Sequence, residues 1–203
     1  MLIGKLADVQ LAFYQSYHSN KINQLIHFIF IPQILWSGLI ILSHVPWPGT
    51  IPKVWFDGAA FQPSLALALI AAFQTYYIVL DPLAGTAYLP VAILFYLSAT
   101  WLKVVAPAWL PFSSHAHPTA APFGWTVFVV AWIAQFIGHG VFEHRAPALT
   151  DNLVQALVTA PFFVHMEFLF YVFNYRPEVQ KRVKDAAGVR IREMNRVAKN
   201  KVK

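Results

Sequence analysis

Apolar residues run almost unbroken through five stretches of the chain, 24–45, 61–80, 85–105, 122–142 and 151–175, and none holds a lysine or arginine in its middle. A helix needs about 20 mostly apolar residues to cross a bilayer, so each stretch is a candidate membrane helix. The breaks are equally legible. "HVPWPGTIP" (44–52) and "APAWLPFSSHAHPTAAP" (106–122) are proline-rich connections, because proline removes a backbone donor and restricts the residue before it. "DPLAG" (81–85) reads as a tight turn. Residues 3–17 differ, with Ile3, Leu6, Val9, Leu11 and Phe13 set among Lys5, Asp8, Gln10 and Gln15. That short, partly amphipathic stretch is expected to lie along the membrane interface, with Ser19 or Asn20 capping the helix that follows.

The pattern predicts an all-α integral membrane bundle of about four to six membrane helices, re-entrant ones included, with an N-terminal interfacial helix and a basic C-terminal tail. Composition agrees: 58% of the 203 residues are hydrophobic and 12% charged. The net charge of +6 is uneven, because ten of the 15 Lys and Arg follow position 175. Residues 1–175 are therefore read as one membrane-embedded catalytic domain. Residues 176–203 are read as a basic cytoplasmic tail suited to anionic headgroups, and removing them is expected to leave the chemistry intact. Nothing aromatic is interleaved with the tail's charges, so nucleic acid is not expected as a partner. Two cytoplasmic termini require an even number of crossings, and five stretches are odd. Segment 85–105, with Gly85, Pro90 and Lys103, is the candidate for a re-entrant piece, unless the N-terminus lies on the other side. The N-terminus lacks a signal peptide's continuous apolar core and cleavage site, so it is expected to be retained.

Cysteine is absent, so any metal must use His, Asp, Glu or water. The ionisable residues worth attention cluster at the two ends of the apolar body. Gln135, His139 and Glu143 are spaced by four and share one helix face. An imidazole and a carboxylate so placed suit divalent iron or zinc, or else form a buried His–Glu hydrogen bond locking two helices. After Thr150, a potential cap, Asp151, Gln155 and Thr159 repeat the spacing next to Asn152, unless 143–152 is a solvated loop. In "YHSNKINQLIH", Asn20, Asn23 and His27 share a face, and His18 joins them only if the helix breaks at Ser19–Asn20. His44, His115 and His117 sit in or beside proline-rich loops and are expected to face solvent. His144 points elsewhere, and His165 with Glu167 lies in the last apolar stretch. Together His18, His27, His139 and Glu143 suit non-haem iron with open coordination positions.

These residues also carry a resemblance. "LAFYQSYHSNKINQLIHFIFIPQILWSG" (11–38) and "GWTVFVVAWIAQFIGHGVFEHRAPALTDNLVQALVTAPFFVHMEFLF" (124–170) resemble the fungal endoplasmic-reticulum 2-hydroxy fatty acid dioxygenases of phytosphingosine breakdown. The family's Tyr-His-x-Asn motif falls on Tyr17, His18 and Asn20, its Leu-Ile-His on Leu25, Ile26 and His27, and its Gly-His-Gly on His139, followed by Glu143. His144 departs from the family's basic side chain and His165 from an apolar one. The resemblance implies Fe(II)-dependent α-oxidation of long-chain 2-hydroxy acids with O2, in a multi-pass protein of the endoplasmic reticulum membrane. Converting R–CHOH–COOH to R–COOH and CO2 is a four-electron oxidation, which one O2 accepts completely with water as the other product. His18, His27 and His139 would then bind iron, with Glu143 a ligand or an acceptor that orients a histidine. Gln135, Asn20 or Asn23 would hydrogen-bond the substrate carboxylate, and Arg145, Asn152 and Gln155 would complete the substrate site. Two rivals stand beside this reading. "HGVFEH" contains the His-x4-His box of a di-iron hydroxylase or desaturase, although no His-His pair occurs. A lipid-binding scaffold would use the polar stripes as glue between helices. Membrane lipid is an expected partner in every case, and self-association into a homo-oligomer stays open.

Overall fold

The computed structural model describes residues 2–113, 116, 118–144 and 153–201, and the side chains of 8–113, 116, 118–144 and 157–197. Helix α1 (Leu2–Ser16) ends before a short break, and α2 (Lys21–Ser43) begins at Asn20. Asn20 is extended at φ −80° and ψ 129°, and its side-chain oxygen accepts from the amides of Ile22 and Asn23, donors that a helix start otherwise leaves unpaired. Helices α3 (Leu65–Leu80) and α4 (Pro82–Val105) are joined by Asp81 alone. Its carboxylate accepts from the amides of Leu83 and Ala84, both at 3.1 Å, and Pro82 suits a first helical position, where no amide is needed. Gly85 is required by proximity, since a Cβ there would run into the backbone of Tyr77. Helix α5 (Ala121–Ile137) passes directly into a π turn, Gly138–Glu143.

Helices α2 to α5 run up and down. The end of α2 meets the start of α5, where His44 Nε2 lies 3.3 Å from Thr119 Oγ1. The Leu65 amide donates to the Val45 carbonyl at 3.1 Å, so α3 starts where α2 ends. Trp36 at mid-α2 donates to Ser98 at mid-α4, 2.9 Å away. The segments Lys21–Ser43, Pro82–Val105 and Ala121–Glu143 are long and apolar enough to cross a membrane, and α3 is a shorter apolar helix of 16 residues. Segment 85–105, the candidate for a re-entrant piece, is thus the full-length helix α4. Pro82 starts it, and Pro90 is accommodated inside it.

The odd segment is α6 (Leu153–Phe173). The Val158 carbonyl accepts from Tyr77 Oη at 2.8 Å, Phe162 stacks on Tyr77, and His165 lies 3.1 Å from the Ala84 carbonyl. Just beyond the helix, Tyr175 Oη donates to Asp81 at 3.0 Å. These contacts on α3 and α4 fall within about two turns of Asp81 although α6 is 21 residues long, about 31 Å. The helix therefore crosses the end of the bundle instead of running its length.

The opposite end carries a hairpin that the hydrophobic pattern did not reveal, β1 (Lys53–Phe56) and β2 (Ala59–Phe61), paired antiparallel with Lys53 opposite Phe61. Its turn uses Gly58 at φ 93°. The segment read as a tail also has structure. Helix α7 (Pro177–Lys201) buries Val179, Val183 and Ala187, one stripe at every fourth residue, and packs chiefly on α1. Arg182 pairs with Asp8 at 2.9 Å, and the Arg190 guanidinium sits 4.4 Å from the Phe13 ring. Removing residues 176–203 would therefore uncover an apolar face of α1, the helix that leads into His18.

Candidate metal centre

The break between α1 and α2 decides the site. His18 lies nine positions before His27, an offset that on one continuous helix would turn them apart. Because the chain leaves helical conformation after Ser16 and re-enters it at Lys21, both rings turn inward. Their centroids lie 4.2 Å apart, and that of His139 lies 4.9 and 4.8 Å from His18 and His27. One ring nitrogen from each falls within 4.8 Å of the others. All three residues are buried, each 5% exposed or less.

The tautomers are set locally. His18 Nδ1 lies 2.7 Å from the Tyr14 carbonyl and His27 Nδ1 lies 2.8 Å from the Asn23 carbonyl. A carbonyl only accepts, so each Nδ1 carries the proton and each Nε2 keeps its lone pair. Burial, reinforced by the neighbouring imidazoles, holds His18 well below the ordinary histidine pKa, so its ring stays neutral. Tyr14 also stacks on the His18 ring at 3.9 Å. His27 Nε2 and His139 Nε2 approach to 3.1 Å. Three neutral imidazoles converging from two helices and a turn fit a divalent first-row metal, with positions left for other ligands.

Glu143 bears on His18 through the turn that carries it. Its carboxylate accepts from the Ser19 amide at 3.0 Å, the Ser19 hydroxyl, the Asn20 amide at 2.9 Å and Asn23 Nδ2 at 3.1 Å. It fastens the turn that carries His18 to the end of α5, and it stands outside the set of three donors. Asn20 and Asn23, expected at the substrate carboxylate, are engaged within the fold. The oxygen of one caps α2 and the amide of the other is held by Glu143, and neither lines the adjoining cavity. The π turn makes this closure possible, as such turns recur where a helix must re-aim side chains. At Gly138 a Cβ would run into Asn23 Oδ1, whereas at Gly140 it would meet nothing within 4 Å.

From the triad a cavity of about 390 Å³ extends between α2 and α5, closed in part by α3 and α6. Its walls are apolar apart from the head, where Gln135 is 5% exposed and its Nε2 has no hydrogen-bond partner among the described residues. Arg145, Asn152, His115 and His117 lie outside the described residues, and of Gln155 only the backbone, in α6, is described. His165 donates to Ala84 and Glu167 is buried without lining the cavity. Sequence reasoning assigned neither Tyr14 nor Gly138 to the site, and it named Ser19 only as a possible cap and break, without its bond to Glu143. The Gly-His-Gly pattern was the available signal for Gly138, and nothing in the spacing pointed to the bond at Ser19.

The fold and the site together define a class: a membrane-type helical bundle with a buried cluster of three histidines that could hold a metal ion at the head of an apolar cavity. The chain belongs to the family described as "2-hydroxy-palmitic acid dioxygenase Mpo1-like", whose family model matches residues 5–172. It is 39% identical over 161 residues to the 2-hydroxy-palmitic acid dioxygenase MPO1 of Saccharomyces cerevisiae, covering 79% of this chain and 78% of that protein. No solved structure matches the chain.

Proposed function

We propose that this protein is an Fe(II)-dependent dioxygenase that converts a long-chain 2-hydroxy fatty acid and O2 into CO2, water and the acid one carbon shorter. The observation that carries the reading is the placement of three convergent imidazoles at the polar head of an otherwise apolar cavity. Membership of the family and the printed activity of the yeast relative support the substrate class. The resemblance to the fungal enzymes adds the endoplasmic reticulum membrane and phytosphingosine breakdown.

Iron held by His18, His27 and His139 would supply a redox-active Lewis acid for an α-hydroxy carboxylate and O2. The protein supplies the rest. The carbonyls of Tyr14 and Asn23 hold two imidazoles in the tautomer that presents Nε2. Gln135 Nε2, a buried donor at the cavity head, hydrogen-bonds the substrate carboxylate, which satisfies both partners in a site with little water. The apolar walls keep the alkyl chain aligned and exclude bulk water from the reacting carbons. No flavin, 2-oxoglutarate or external reductant is needed, because the substrate itself provides all four electrons that O2 takes up.

The test is anaerobic reconstitution of the purified protein with Fe(II), followed by 2-hydroxypalmitate and O2, with CO2, the shortened acid and iron content measured. One iron per chain and equal yields of both products are expected. Two irons with dependence on an electron donor would replace this reading with a di-iron hydroxylase. Absence of both iron and oxygen uptake would replace it with a lipid-binding scaffold.

A further inference from the structure

The cavity that leaves the triad has a graduated length, because its two main walls are antiparallel helices in fixed register. His27 on α2 faces His139. Farther along, a Cβ at Gly38 would lie 3.9 Å from the Phe128 ring, and one at Gly124 would touch Ile40 and Ile41. The lining on α2 is a single stripe that starts at His27 and ends at Leu42, and the lining on α5 descends from His139 to Trp125. At 1.5 Å per residue, Gly38 stands about 16 Å and Leu42 about 22 Å beyond His27. An extended carbon chain, at three bonds per residue length, advances about 1.2 Å per bond, so these levels correspond to about 13 and 18 bonds.

We infer that this cavity measures the substrate's acyl chain, with Gly38 admitting the chain past the level of Phe128 and Leu42 with Trp125 forming the far stop. The inference rests on the reading that the hydroxy-acid head sits at the triad. Gly38 is the informative residue for a physical reason. It is the position on the lining stripe without a side chain, and the space facing it ends at one ring edge in ordinary contact distance. The α5 wall beside it is a continuous run of ring contacts, Trp125 to Phe128 at 5.9 Å, Phe128 to Trp132 at 6.2 Å and Trp132 to Phe136 at 5.9 Å. Such a surface grips methylenes along its length without selecting any one of them. Selection is left to the two ends, iron at one and the far stop at the other.

A phenylalanine at position 38 would fill the cross-section about three-quarters of the way along, without disturbing His18, His27 or His139. The experiment gives the iron-loaded full chain an equimolar mixture of 2-hydroxydecanoate, 2-hydroxypalmitate and 2-hydroxystearate and measures each shortened acid. For Gly38→Phe, turnover of the two longer acids should fall at least about tenfold relative to 2-hydroxydecanoate, as expected when methylenes lose their place in a pocket. Turnover of the short acid itself should change little. Leu42→Phe should shift the profile in the same direction but affect mainly 2-hydroxystearate. A parallel fall at every length, or an unchanged profile in both variants, would overturn the ruler. If the wild-type protein turns over none of the acids, the proposed function fails, and the ruler is read from binding instead. The melting temperature of metal-free protein should then rise with the length of an added saturated fatty acid in the wild type, and only for short acids in Gly38→Phe. Equal stabilisation of both proteins by all lengths would sink it.

Discussion

Two apolar cavities meet at Pro161, and only one of them is set up for chemistry. The larger, about 610 Å³, lies among α2, α4 and α6 and includes His165 and Tyr175 in its walls. His165 and Tyr175 there are already engaged, with the Ala84 carbonyl and with Asp81. The smaller, about 390 Å³, ends at three histidines with one ring nitrogen each within 4.8 Å of the others and at a glutamine with a donor unpaired among the described residues. Volume and apolar lining do not separate the two. What separates them is whether the polar atoms at the end are satisfied by the fold or held for something else. Histidine bonding to the carbonyl four residues earlier is no signature by itself, because His44 does the same with Ile40 at 2.9 Å. Convergence from separate elements distinguishes His18, His27 and His139.

The largest effect should come from breaking that convergence. His18→Ala, His27→Ala and His139→Ala are each expected to abolish turnover and bound iron while the protein still inserts in membranes, since each removes a metal donor. Iron analysis alongside product formation decides the matter, and a variant that keeps both near normal does not carry a ligand.

Next in size is the fastening of the turn. Glu143→Gln keeps the shape but weakens the acceptor that holds Ser19 and Asn20, and with them His18. Loss of a group that orients a ligand costs about 10–100-fold in metal affinity or activity. Turnover should therefore recover at saturating iron, whereas a direct ligand would leave the protein without iron at any concentration tested.

Smaller again is the contrast within Gly-His-Gly. Gly138→Ala pushes a methyl group into Asn23, and overpacking of this kind costs about 1–3 kcal/mol. Gly140→Ala meets open space and should change stability by no more than about 0.5 kcal/mol. Thermal unfolding of the pair, with and without iron, measures the difference. Equal melting temperatures would show that α2 and the π turn do not need their close approach.

The sequence made some of this legible and hid the rest for identifiable reasons. Periodicity placed Asn23 with His27 on one face and His139 with Glu143 on another, and residue type narrowed the cap to Ser19 or Asn20, of which Asn20 is the one used. Which faces would meet was not contained in any spacing, and here the resemblance named the three histidines. The π turn escaped because its residues are ordinary helix formers around two glycines, and only the contact between Gly138 and Asn23 shows why the helix widens there. The bases of α7 hid the stripe of Val179, Val183 and Ala187, so a packed helix read as a solvated tail. Helix α6 was misjudged in the opposite sense. Its sequence is as apolar as that of the spanning helices, yet its partners cluster around Asp81, and an apolar stretch cannot reveal direction.

The smallest expected effect sharpens the comparison of the two cavities most directly. His165 is the histidine nearest in environment to the triad: half-buried in the membrane body, edge-on to Tyr88 at 5.1 Å, and part of the roomier cavity. Composition would rank it beside His27. Its Nε2 instead donates to the Ala84 carbonyl at 3.1 Å, and among the described residues it belongs to no group of three metal donors. His165→Ala therefore removes one hydrogen bond, a loss of about 1 kcal/mol, which for a protein of this size lowers the melting temperature by roughly 2–4 °C. Iron content, turnover and the profile of accepted chain lengths should all stay at wild-type values. Loss of iron from His165→Ala at an unchanged melting temperature would move the metal to the second cavity, and the three converging histidines would then be a packing motif.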